Sequence, residues 1–123
     1  MVLVDCLTLW LSNLMCGEYD VVAATVALEE ALTLCEGTVI LVSNEVGLGI
    51  VPDNALARRF RDDAGRLNQS IAAMADTVIF AAAGLALRLK STVGNNSFET
   101  PRMPGFVNSR DGSFPVNPAS KIE

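Results

Sequence analysis

The run Thr38-Val39-Ile40-Leu41-Val42 passes without a break into Ser43-Asn44-Glu45-Val46-Gly47-Leu48-Gly49-Ile50-Val51-Pro52, and this switch constrains the chain more than any other feature. A short, β-branched apolar run bounded by polar residues predicts a strand buried on both faces, as in a parallel sheet. Asn44 and Glu45 then place an amide and a carboxylate at its C-terminal end. Gly47 and Gly49 open positive φ to the backbone and leave room for close approach. Pro52 closes the loop, and Asp53 or Asn54 can cap a following helix. Ligands of open α/β sheets sit outside the carboxyl ends of the strands, so this loop is a candidate site. A plain βα connection whose glycines only make a turn is equally open. The spacing is not the G-x-x-x-x-G-K-[ST] phosphate loop.

A second apolar run, Val2-Leu3-Val4, ends in Asp5. A carboxylate at such a strand end has the pattern of a Walker B residue, which holds Mg²⁺ beside nucleotide phosphates. Asp5 as a cap for the next helix, with Thr8 three residues on, is the simpler alternative. Thr8 to Met15 reads as helical, with Gly17 placed to stop it. Asp20 to Glu36 reads as a second helix burying Val22, Thr25 or Val26, Glu29, Leu32 and Cys35, with Glu29 and Glu30 most simply on its solvated face. The order is β-α-α-β, with a crossover suited to parallel pairing.

Asn54 to Ala75 is the longest helical pattern, with an apolar stripe of Leu56, Phe60, Ala64, Leu67, Ile71 and Met74. Arg58, Arg59, Arg61 and Arg66 hold four of the chain's nine basic charges. Arg58 or Arg59 could reach a phosphate as a bidentate fork, but pairs such as Arg58–Asp62 on a solvated face explain the pattern as well. Gly65, costly inside a helix, suggests a close backbone neighbour. Asp76 to Ala81 predicts a third strand. Leu85, Leu87 and Leu89 alternating with Ala86, Arg88 and Lys90 predict a short edge strand with its charges outward. From Ser91 the composition turns to Gly, Asn, Ser and Pro, so 91–123 is expected to be a disordered tail on a folded 1–90.

The net charge is −5, which argues against nucleic acid as a partner. No run approaches the roughly 18 apolar residues of a membrane span, and no signal peptide is evident. Cys6, Cys16 and Cys35 have no partner motif and read as buried, reduced thiols of a cytoplasmic protein. The chain contains no histidine, which removes His-based acid–base chemistry from it.

Taken together, four segments resemble one family. Val2-Leu3-Val4-Asp5-Cys6-Leu7-Thr8-Leu9-Trp10-Leu11-Ser12-Asn13-Leu14 is similar to the Walker B segment of the bifunctional adenosylcobinamide kinase/adenosylcobinamide-phosphate guanylyltransferases of cobalamin (vitamin B12) biosynthesis. Val42 to Pro52 resembles that family's strand–loop signature, and Leu56 to Gln69 resembles its following helix. Ala83 to Lys90 resembles its closing strand, so the likeness runs from Val2 to Lys90.

The resemblance implies an α/β, RecA-like P-loop-type parallel sheet with flanking helices. It implies ATP or GTP as substrate with Mg²⁺, phosphorylation of adenosylcobinamide, and transfer of GMP from GTP through a guanylylated histidine. It also implies a homotrimer. By motif position Asp5 is the nucleotide- and Mg²⁺-facing residue, and Asn44, Glu45, Gly47 and Gly49 form the neighbouring site loop. No step is assigned to Arg58, Arg59, Arg66 or Asn68. The family's N-terminal phosphate-loop strand, its lysine and its histidine have no counterpart here. The expectation is therefore a sheet lacking that strand and a chain inactive alone. The alternatives are a remnant that serves only subunit contact, or a small non-enzymatic nucleotide-binding module built on the Gly47–Gly49 loop.

Overall fold

The computed structural model describes residues 1–92. Its elements are β1 (Val2–Asp5), α1 (Leu7–Cys16), α2 (Val21–Leu34), β2 (Val39–Val42), α3 (Ala55–Met74), β3 (Thr77–Ala82) and β4 (Leu85–Ser91). The α1–α2 crossover brings β2 alongside β1 in parallel, with Val4 opposite Leu41 and Asp5 opposite Val42. Both strands therefore end at one edge. The peptide joining Asp5 to Cys6 is cis.

The core sits between this pair and the helices. Leu7 and Leu11 of α1 meet Ala64, Leu67 and Ile71 of α3, and all five are buried. Val4, Leu41, Val21, Leu28, Leu32 and Phe60 pack around them. Burying an aliphatic side chain of this size contributes about 1.5–3 kcal/mol, so this cluster is the main source of cohesion. The middle of the expected α3 stripe holds, while Leu56 and Met74 at its ends are exposed. Asn54 caps α3, its Oδ1 accepting from the Leu56 and Ala57 N–H groups at 2.8 and 3.1 Å. Asp20 caps α2 in the same way. Each such cap stabilises its helix by about 1 kcal/mol.

Several expectations are corrected. The strands do not form one sheet: β3 pairs antiparallel with β4 as a separate hairpin. The parallel pair is covered on one face only, because Leu3, Ile40 and Val42 on its other face are exposed. The inward side of α2 is Val21, Ala24, Thr25, Leu28, Glu29 and Leu32, so Thr25, Glu29 and Leu32 of the predicted stripe hold, while Val22 and Cys35 are exposed. Glu29 is not on the solvated face, since Ser70 Oγ of α3 donates to its Oε1. Gly17 caps the C-terminus of α1 as expected, and the left-handed residue that follows is Glu18 (φ 56°). A Cβ at Gly65 would meet nothing within 4 Å, so no backbone packs closely there. Cys6 is half-buried, and Cys16 and Cys35 are exposed; all three are free thiols.

The hairpin confirms the edge strand and leaves Arg88 outward as expected, but Lys90 and the leucines depart from the expectation. Leu85, Leu87 and Leu89 are exposed, while Lys90 turns back to α3. Its Nζ donates to the Ala72 and Ala73 carbonyls at 3.0 and 2.6 Å. A cation on the last carbonyls of a helix offsets the negative end of its dipole. The β3–β4 pairing carries a register shift between Val78 and Ile79, where Val78 faces Lys90 and Ile79 faces Arg88. Strand β4 extends through Ser91, and Thr92 N–H donates to the Asp76 carbonyl at 2.8 Å, so the hairpin runs slightly past the expected boundary. The remainder of the expected tail lies outside the described residues. Among the described residues no helix is long and apolar enough to cross a membrane.

Candidate functional site

The carboxyl edge of the β1–β2 pair gathers the polar groups. Asp5 ends β1 with its carboxylate exposed, and no described residue hydrogen-bonds it. Side-chain alternation puts it on the side of Leu3, Ile40 and Val42, away from the helices. Across the edge, the chain leaves β2 through Ser43 and Asn44. Two helices hold this exit. From the first turn of α1, Thr8 Oγ1 accepts from the Asn44 N–H at 2.8 Å. From α3, Asn68 Oδ1 accepts from Ser43 Oγ at 2.6 Å and Asn68 Nδ2 donates to the Asn44 carbonyl at 3.3 Å. The Asn44 peptide groups are thus engaged on both sides, while its own carboxamide is exposed and without a described partner.

The loop beyond folds on itself. Glu45 Oε1 accepts from the Gly47 N–H at 2.6 Å, so this carboxylate is turned into its own loop and does not stand free beside Asp5. A Cβ at Gly47 would lie 2.8 Å from that oxygen, whereas Gly49 faces open space. Neither glycine adopts a positive φ, so the expected left-handed turn is not what they supply. The far end of the loop is tied by Arg58, whose Nη1 donates to the Pro52 and Asp53 carbonyls at 2.9 and 2.6 Å. Arg58 therefore serves the loop, not Asp62. Asp62 takes Arg61 instead, at 3.0 Å. Asp63 pairs with Arg59 at 3.5 Å and Arg66 at 2.8 Å. Exposed pairs of this kind contribute only tenths of a kcal/mol.

Of the predicted site residues, Asp5 and Asn44 are brought to one edge, Glu45 and Gly47 form the turn beside them, and Gly49 lies further along the loop. Thr8, Ser43 and Asn68 complete the edge and were not in the predicted set. A polar residue flanked on α3 by buried Leu67 and Ile71 was the available signal for Asn68, because a half-buried amide must find partners.

The donor set suits a hydrated divalent cation arriving with a phosphate ligand. No group of three His, Cys, Asp or Glu side chains that could hold a metal exists among the described residues. Mg²⁺ bound with nucleotides needs only one or two carboxylates, with phosphate oxygens and water filling its octahedron. A single exposed Asp5 fits that chemistry.

The fold and this edge define an α/β protein with a small parallel sheet whose strand ends carry an exposed carboxylate and carboxamide. The family model described as cobinamide kinase / cobinamide phosphate guanyltransferase matches residues 1–89, and the chain belongs to this enzyme family. It is 50% identical over 96 residues to the bifunctional adenosylcobalamin biosynthesis protein CobP of Pseudomonas aeruginosa, covering 72% of this chain and 52% of that protein. It is 38% identical over 104 residues to the bifunctional adenosylcobalamin biosynthesis protein CobU of Salmonella typhimurium, covering 72% of this chain and 58% of the relative. The Escherichia coli protein of the same name matches to the same extent. The chain thus spans between half and three-fifths of the length of these curated relatives.

Proposed function

We propose that this chain supplies the Mg²⁺-facing edge of a RecA-like, P-loop-type nucleotide site in an adenosylcobinamide kinase/adenosylcobinamide-phosphate guanylyltransferase. The observation that carries the reading is the unpartnered Asp5 carboxylate at the end of β1, one strand away from the fixed Ser43–Asn44 exit. In this reading Asp5 holds Mg²⁺ through its water shell or directly, and the metal neutralises the phosphates of ATP or GTP. Asn44 offers a carboxamide to the nucleotide or to adenosylcobinamide, and the Glu45–Gly47 turn fixes the start of the loop. The work belongs to cobalamin biosynthesis in the cytoplasm, in a homotrimer. The 123 residues contain no histidine, so the GMP-accepting histidine implied by the family has no counterpart among them.

Titration of the 123-residue chain with Mg²⁺–ATP and Mg²⁺–GTP, followed calorimetrically, tests the reading. Weak, Mg²⁺-dependent binding is expected, reduced at least tenfold in Asp5→Asn, a change equivalent to about 1.4 kcal/mol. Binding that is unchanged in Asp5→Asn removes Asp5 from the metal role. A second reading, a module that contacts other subunits without binding nucleotide, rests on the uncovered Leu3–Ile40–Val42 face. Absence of nucleotide binding together with a cooperative melt favours it.

A further inference from the structure

We infer that Thr8 and Asn68 are positioning residues that act on ligand through Asn44, an inference that rests on the nucleotide-site reading above. The argument starts from what the Asn44 peptide lacks. It lies beyond the last β1–β2 pair, Asp5 with Val42, so no neighbouring strand fixes it. Its N–H is taken by Thr8 Oγ1 at 2.8 Å and its carbonyl by Asn68 Nδ2 at 3.3 Å. The same Asn68 amide accepts from Ser43 Oγ at 2.6 Å, so one side chain spans two consecutive residues of the strand exit.

Thr8 comes from α1 and Asn68 from α3, the two helices that share the buried core. The clamp is therefore anchored on the two helices that supply the buried core. It leaves exactly one polar group of Asn44 uncommitted, the side-chain carboxamide, which can both donate and accept. A loop residue with its backbone held on both sides and its carboxamide free is preorganised for a polar ligand. The ordering cost is met on folding and not on binding. The exposed Asn44 carboxamide and the exposed Asp5 carboxylate lie at the same edge of the strand pair, open to solvent or ligand.

The test uses the full chain with Mg²⁺–GTP as probe. Thr8→Val removes the acceptor with little change of shape, Thr8→Ser keeps it, and Asn68→Asp sets an acceptor against the Asn44 carbonyl. Loss of one hydrogen bond's worth of preorganisation weakens binding roughly three- to tenfold. That loss is expected in Thr8→Val and Asn68→Asp, with rescue in Thr8→Ser. In an Asn44→Ala background the two substitutions are expected to cause no further loss, because the group they orient is gone. Equal losses in both backgrounds, tracking the melting temperature, would mean a structural tether and overturn the inference. Hydrogen exchange of the Asn44 amide gives a readout free of ligand. It is expected to be protected in the wild type and to exchange faster in Thr8→Val. An unprotected wild-type amide overturns the clamp itself. A protected amide in a chain that binds no Mg²⁺–nucleotide overturns the nucleotide-site reading, and the positioning role with it, leaving the clamp as structure.

Discussion

At the scale of single residues, the polar groups exposed at the edge of the strand pair were easier to read than the groups that hold them. Asp5 and Asn44 announce themselves as polar residues ending apolar runs, a local pattern. Thr8 and Asn68 reach the site through hydrogen bonds to residues 24 to 36 positions away, which no local pattern encodes. Gly65 shows the opposite error. Its presence inside α3 suggested a close neighbour, yet a side chain there would meet open space. Since glycine costs about 0.8–1.0 kcal/mol against alanine in a helix interior, Gly65→Ala is expected to stabilise the chain by that amount. A urea midpoint that rises with unchanged slope would bear this out. A fall would require something to pack on Gly65 from outside the described residues.

At the scale of elements, periodicity located every helix and strand of the described chain but set the inner face of α2 and of β4 only in part. In α2 nearly every position is apolar or small, and with Thr25 and Val26 both left open, a stripe through Val22 and Val26 competes with one through Val21 and Thr25. The contact with α1 and α3 decides for the second. In β4 the leucines were assigned inward by hydrophobicity, but Lys90 gains the free carbonyls at the end of α3 and takes the inner position. The hairpin turn carries its own strain. Ala83 (φ 52°) and Gly84 (φ 74°) both sit at positive φ between β3 and β4, the pattern of a type I′ turn. A non-glycine residue there costs roughly 1 kcal/mol, and asparagine tolerates the position better than alanine. Ala83→Asn is therefore expected to raise stability by roughly 0.5–1 kcal/mol, and Ala83→Val to lower it. Amide exchange within β3 and β4 should slow in the first variant and quicken in the second.

At the scale of the whole molecule, the decisive fact is that a parallel strand pair lies open on one side. Parallel strands are ordinarily covered on both faces, and the sequence of β1 and β2 is apolar on both. The helices α1, α2 and α3 all serve the Val4–Leu41 side. On the other, Leu3 is 63% exposed, Ile40 45% and Val42 39%, with Leu3 and Ile40 directly paired. That surface faces the same way as Asp5, so whatever covers it also borders the candidate site. Exposed apolar surface of this kind drives association in the micromolar range and above. The 123-residue chain is thus expected to self-associate with rising concentration in sedimentation velocity and to enhance the fluorescence of a hydrophobic dye. In Leu3→Thr/Ile40→Thr, which places strand-compatible, β-branched threonine at both positions, both signals should fall while the urea slope stays the same. A wild-type chain that remains monomeric and dye-silent would show that this face does not drive association, and the argument from its exposure would fall with it.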